Sequence, residues 1–226
     1  MVQQAYKGDV LQRIAGVGFI ISAIVSIAAN ILAPRPEDRG DVALSVAKLA
    51  ENPDTAKLAF FGIALGIWFS VMGFAGVYRS IASGAGSAWS RLGFYGVLVS
   101  AALMTVFCAV LIGATTAAGN GAAVPASTLV IAANSIFGVA ATAFWMALAF
   151  VGLGIAVSDV YPKWAGLPLL IIGVVTVVGY GIPSVFLDPS KALDFIFAGL
   201  ALLTSIWSLV VGLWITRREI RAMQPA

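Results

Sequence analysis

The sequence predicts an all-α, polytopic membrane helix bundle of six transmembrane helices, with one short extracytoplasmic amphipathic helix. Three observations carry this. The chain of 226 residues is 61% hydrophobic and only 10% charged, whereas a soluble domain is closer to half apolar and a quarter charged. Six apolar runs are each long enough to cross a bilayer. The 13 Lys and Arg residues fall between those runs or at their ends. We read residues 1–226 as a single membrane domain.

Residues 1–9 are short and polar, and Asp9 with Gln12 reads as a helix N-cap pair. The first span covers 10–33 and is stopped by Pro34 and Pro36. Ser26-Ile27-Ala28 would also pass as the small-residue site of a secretory signal, but we read the segment as a retained span. Residues 34–57 form a charged outer loop with nine ionisable side chains. Within it, Val42, Val46, Leu49 and Ala50 share one helical face, Asp41 can cap the start and Pro53 follows the end, which predicts a short surface helix.

The second span, 58–78, repeats Gly62, Gly66 and Ser70 every four residues, a helix-packing stripe that lets another helix approach closely. Ser83–Ser87 is a flexible turn, and the third span covers 92–114. Residues 115–128 are uncharged and rich in Gly, Ala and Thr, and are expected to form a loop on the surface. The fourth span, 129–157, is long enough to tilt. The fifth, 164–186, is expected to kink or unwind at Gly179-Tyr-Gly-Ile-Pro183. The sixth covers 192–216 and leads into a basic tail. Spans two–three and four–five carry a faint mutual echo around Trp89 and Trp164, as parallel hairpin repeats would.

Six spans place both termini on one side. That side holds Lys7, Arg13, Arg79, Arg91, Lys163, Arg217, Arg218 and Arg221; the other holds Arg35, Arg39, Lys48, Lys57 and Lys191. The excess of positive charge assigns the termini to the cytoplasm and the chain to the cell inner (plasma) membrane. Trp89, Tyr161, Trp164 and Trp214 then sit at the inner interface.

The absence of histidine excludes bis-His haem, His-ligated chlorophyll, a Ser/His/Asp site and most transition-metal sites. No metal and no cofactor is expected. The single cysteine, Cys108, excludes an intrachain disulfide. No ionisable residue lies deep within a span, whereas pumps, ion-coupled carriers and voltage sensors keep such charges for use. The small net charge of +3 follows from topology and gives no reason to expect nucleic acid.

What remains is uncharged polarity. Asn30, Thr105, Cys108, Asn134, Ser135 and Tyr180 all fall in the outer leaflet, so they form a ligand-binding pocket if they face inward together. The competing expectation is plain interhelical hydrogen bonding, worth about 0.6–2 kcal/mol per bond. Asn134 is the first choice, because an unpaired amide in hydrocarbon costs several kcal/mol. Thr204, Ser205 and Ser208 are expected to bond back to their own helix. Trp68, Trp145 and Trp207 are expected to pack and each find an acceptor; a pigment or quinone between them is the lesser expectation, and bound lipid the greater.

Arg13-Ile-Ala-Gly16 and Gly152-Leu-Gly154 with Tyr161-Pro-Lys-Trp164-Ala-Gly166 are the residues through which the chain resembles an uncharacterised bacterial family of six-helix integral membrane proteins. The resemblance implies topology and carries no activity. The expected function is non-catalytic: a structural or accessory subunit that packs against lipid and other membrane proteins, or against copies of itself. The alternative is a binding or transport protein for a neutral lipophilic small molecule, using the outer-leaflet pocket with the span-five kink as its gate. A lipid-modifying enzyme using Asp38, Asp188 or Asp194 is the third expectation.

Overall fold

The computed structural model describes residues 10–36, 40–186 and 191–222. The expectations at Asp9, Asp38 and Asp188 lie outside the described residues. The elements are α1 (Val10–Leu32), α2 (Val42–Glu51), α3 (Pro53–Ser80), α4 (Ser87–Gly119), α5 (Ala123–Ala156), α6 (Lys163–Thr176), a π turn (Val177–Gly181), α7 (Ile182–Phe186) and α8 (Lys191–Ala222). Among the described residues, six helical segments are long and apolar enough to cross a membrane. The chain is therefore an all-helical multi-pass membrane protein.

The short helix forms as its sequence predicts. The Asp41 carboxylate accepts a hydrogen bond from Leu44 N at 3.0 Å and caps α2. Ser45, Val46 and Leu49 are its buried face, while Ala50 is exposed. Pro53 does more than end α2. It occupies the first turn of α3, where its missing N–H and fixed φ suit a helix start, so α3 begins five residues before the predicted span.

Residues 115–128 correct the expected surface loop. Only 120–122 separate α4 from α5, with Gly121 at φ +73° making the reversal. The Ala-rich flanks favour helix, and Thr115 and Thr116 donate back to Leu111 O and Ile112 O, so their hydroxyls need no loop partner. Both helices therefore exceed thirty residues (33 and 34). The expected kink in the fifth span takes the form of a π turn. The wider turn at Val177–Gly181 precedes Pro183 and keeps the chain helical throughout.

The six spans form a closed ring in the order α1, α3, α4, α5, α6, α8 and back to α1, with the sparsest contact between α6 and α8. Small residues set the close approaches. A Cβ at Gly62 would meet Ala29, at Gly66 Ser26, and at Gly73 the Phe19 ring, so α1 and α3 run antiparallel in tight contact. Gly212 meets Phe19 and Ile20 in the same way, which fixes α8 antiparallel to α1. The backbones of α5 and α6 touch through Gly152, Gly166 and Gly173.

The interior of the ring differs along its length. Towards the chain termini it is filled by Phe19, Phe74 and Trp207, whose ring centroids lie 4.9–6.1 Å apart. Tyr161, Trp164 and Trp214 pack at that end, and the Arg218 guanidinium lies 5.4 Å from the Trp214 ring centre. At the opposite end, α2 packs against α3, α4 and α5 through Val46 and Leu49. Between the aromatic plug and α2 the ring is not filled.

Candidate functional site: a central cavity under the amphipathic helix

The unfilled part of the ring is a cavity of about 230 Å³. Its mouth is formed by Pro34, Pro36 and the α2 residues Ser45, Lys48 and Leu49. Phe60, Phe107, Phe137, Phe144, Trp145 and Phe197 supply aromatic walls. One side is lined with hydroxyls: Ser22 and Ser26 from α1, Ser70 from α3, and Thr204, Ser205 and Ser208 from α8.

The glycine contacts fix the depth of these groups. Gly66 faces Ser26 and Gly73 faces Phe19, so Ser70 lies level with Ser22. Gly212 faces Phe19, so Ser208, one turn nearer α2, lies within about a residue's rise of the same level. Ser22, Ser70 and Ser208 thus form a floor directly above the Phe19–Phe74–Trp207 plug. Asn30 is eight residues along α1 from Ser22, about 12 Å nearer the mouth. Pairing of Phe107 with Phe137, and of Trp68 with Thr105, places Asn134 close to the level of Asn30.

Several of these groups lack a partner among the described residues. Ser70 donates to Ile67 O, Thr204 to Leu200 O and Ser205 to Ala201 O, the expected back-bonding. The Ser22 and Ser208 hydroxyls, on residues only 6% and 5% exposed, make no hydrogen bond to the described residues. The Asn134 amide makes none either. Trp145 Nε1 is buried and unpartnered among the described residues, whereas Trp207 donates to Ala165 O at 2.7 Å and Trp68 to Thr105 Oγ1 at 2.9 Å. Native interiors seldom leave buried groups orphaned, so the Ser22 and Ser208 hydroxyls and the Trp145 N–H are hydrogen-bonding capacity left open around one void.

Of the six residues singled out from sequence, Asn30 and Asn134 line this cavity. Asn30 Nδ2 donates to Ser26 O at 2.8 Å, and its backbone carbonyl accepts from Arg35. Thr105 is spent on Ala101 O and the Trp68 indole, and Ser135 is exposed and donates to Ile131 O. Cys108 is buried among Val46, Phe60 and Leu111. Tyr180, in the π turn, stands one layer behind the wall, with its ring 4.6 Å from Phe197. The stripe of Gly62, Gly66 and Ser70 faces α1 inside the chain, and Gly66 and Ser70 also line the cavity. Depth reasoning from the sequence misses the floor hydroxyls. The available signal is the spacing of Ser22, Ser26 and Asn30, a polar stripe at every fourth residue of an otherwise apolar span.

The family model described as "Domain of unknown function (DUF4386)" matches residues 14–218, which bears out the resemblance to an uncharacterised family. No curated protein and no solved structure matches.

Proposed function

We propose that this chain, which belongs to the family of the domain of unknown function DUF4386, is a non-catalytic membrane protein that binds or carries a neutral lipophilic small molecule in its central cavity. The observation that carries this reading is the cavity itself, with its apolar aromatic walls and the buried Ser22 and Ser208 hydroxyls, which have no partner among the described residues. A void of this size forgoes about 5.5 kcal/mol of packing at ~24 cal/mol per Å³, a cost that occupancy offsets. Among the described residues, Lys48 is the one ionisable side chain on the lining, and it sits at the mouth, so the interior favours an uncharged guest.

In this reading the α2 end faces outward and both termini face the cytoplasm, following the charge asymmetry. α2 covers the entrance. The π turn, backed on Phe197 by Tyr180, is the place where the wall between cavity and lipid yields. No metal or cofactor enters the proposal.

The accessory-subunit reading draws on the lipid-facing surface of α8, where Phe195 is 83% exposed beside Ile196, Leu202 and Leu203. Its sequence support is the lack of intramembrane charge and of metal ligands, together with the small-residue stripe, and that stripe is occupied within the chain by α1. Lipid covers an apolar helix face as well as a protein partner does, so the cavity reading has the stronger support.

Titration of detergent-solubilised protein with toluene, followed by tryptophan fluorescence, tests the proposal, because Trp145 lines the cavity. A saturable change that is lost in Ala201→Phe is expected. A linear, non-saturating change of equal slope in both proteins would overturn it.

A further inference from the structure

The cavity is polar at two levels, and the two are built differently. Towards the mouth, Asn30 and Asn134 are exposed and Lys48 is half-buried, and Lys48 is already paired with Glu51 at 2.9 Å. At the floor, Ser22 and Ser208 are more than nine-tenths buried, come from separate helices, and have no hydrogen-bond partner among the described residues. Ser70, level with them, has spent its proton on Ile67 O and keeps its lone pairs. Among the described residues, no charged side chain lines the cavity at that depth.

From this we infer that the floor formed by Ser22, Ser70 and Ser208 is a recognition subsite for one uncharged hydrogen-bonding group, a hydroxyl or carbonyl, on the inner end of a small ring compound. The inference rests on the cavity reading above and deepens it by naming the class of guest. Three features converge on that class. Two hydroxyls that can each donate or accept, beside one that accepts, match a group such as a phenolic hydroxyl or a ring carbonyl. Aromatic walls on α4, α5 and α8 suit a flat ring, which gains area and edge or stacking contacts against Phe107, Phe137 and Trp145. The volume, set against the ~150 Å³ void that holds a benzene, admits roughly ten heavy atoms.

A charged group is excluded from the floor, since no counter-ion among the described residues faces it and an unpaired ion in such a site costs many kcal/mol. A longer apolar tail has to leave away from the floor, through the mouth beneath α2 or across the wall at the π turn. The ring can therefore come as a free small molecule or as the head of a tailed membrane lipid, and both present the same chemistry to the floor.

The probes are toluene, phenol and benzoate, together with a phenol bearing a dodecyl chain para to the hydroxyl. Each is titrated into the detergent-solubilised full-length protein, its Ser22→Ala and Ser208→Ala variants, and the double variant. Removing an unpartnered hydroxyl leaves no new orphan, so these variants fold. Phenol is expected to bind the wild type roughly tenfold more tightly than toluene, and about equally with toluene in the double variant. Toluene affinity should be unchanged by the substitutions, and benzoate should not bind. Binding of the dodecyl phenol at least as tightly as phenol identifies a tailed lipid as the source; its exclusion identifies a free molecule.

If phenol and toluene bind equally in the wild type, or if the double variant keeps the preference for phenol, the floor subsite is overturned while the cavity reading stands. If neither toluene nor phenol binds saturably, both fall.

Discussion

Substituting Ala201 by Leu places three further carbons in the cavity from α8, where Ala201 lines the void and is partly buried. The whole void, at about 230 Å³, corresponds to about 5.5 kcal/mol of missing packing at ~24 cal/mol per Å³. Three carbons fill about a third of that volume and recover about 2 kcal/mol of packing, less about 0.5–1 kcal/mol of leucine rotamer entropy. The net gain is about 1–1.5 kcal/mol. For a chain of this length that raises the unfolding midpoint by about 3–5 °C. The assay is thermal unfolding of ligand-free protein in one fixed detergent, with Val210→Leu, on the exposed face of the same helix, as the control. The same substitution should weaken toluene binding, since guest and side chain compete for one volume. A fall in the midpoint together with unchanged toluene binding would refute the reasoning, because it would mean that Ala201 faces a packed interior.

Other predictions follow from partners and close contacts. Trp207→Phe removes the bond to the Ala165 carbonyl and should cost about 1 kcal/mol more than Trp145→Phe, whose indole nitrogen has no partner among the described residues to lose, as read by thermal unfolding of the two variants. Gly152→Ala puts a Cβ onto the backbone nitrogen of Leu170 and should lower the midpoint by several degrees or prevent folding, while Gly179→Ala, with open space around it, should change stability by less than about 0.5 kcal/mol. Asp41→Ala removes the α2 cap, worth about 1 kcal/mol, and should speed amide exchange in residues 42–51 while leaving the spans protected.

The fold is legible in the sequence because lipid demands long uncharged helices, and these stand out by composition alone. The failures are local and have physical causes. Residues 115–128 resemble a loop because Gly, Ala and Thr make the segment less apolar than the spans beside it. Yet Ala is the strongest helix former, and threonine can satisfy itself on its own helix. Pro53 reads as a terminator because it follows α2, although proline starts a helix as readily as it stops one.

The site is legible only in part. The outer-leaflet layer rests on depth, and depth alone brings Asn30 and Asn134 to the cavity. Thr105, Cys108, Ser135 and Tyr180 share that depth but face elsewhere, because an all-apolar span carries no periodic signal for its own rotation. Ser208 is expected to back-bond by analogy with Thr204 and Ser205. Those two do donate to their own helix, and Ser208, one turn on, does not. The packing stripe on α3 is a close-approach surface as its spacing predicts, but the helix that uses it is the chain's own α1.

The most direct test of the central claim is native mass spectrometry of the wild-type protein and the Ala201→Phe variant, each extracted gently from its own membrane. The expected result is a wild type that carries one discrete small adduct, released by collisional activation, and a variant that lacks it. A wild type that flies only within a larger assembly of membrane proteins, with no small adduct and no difference from the variant, would contradict the claim.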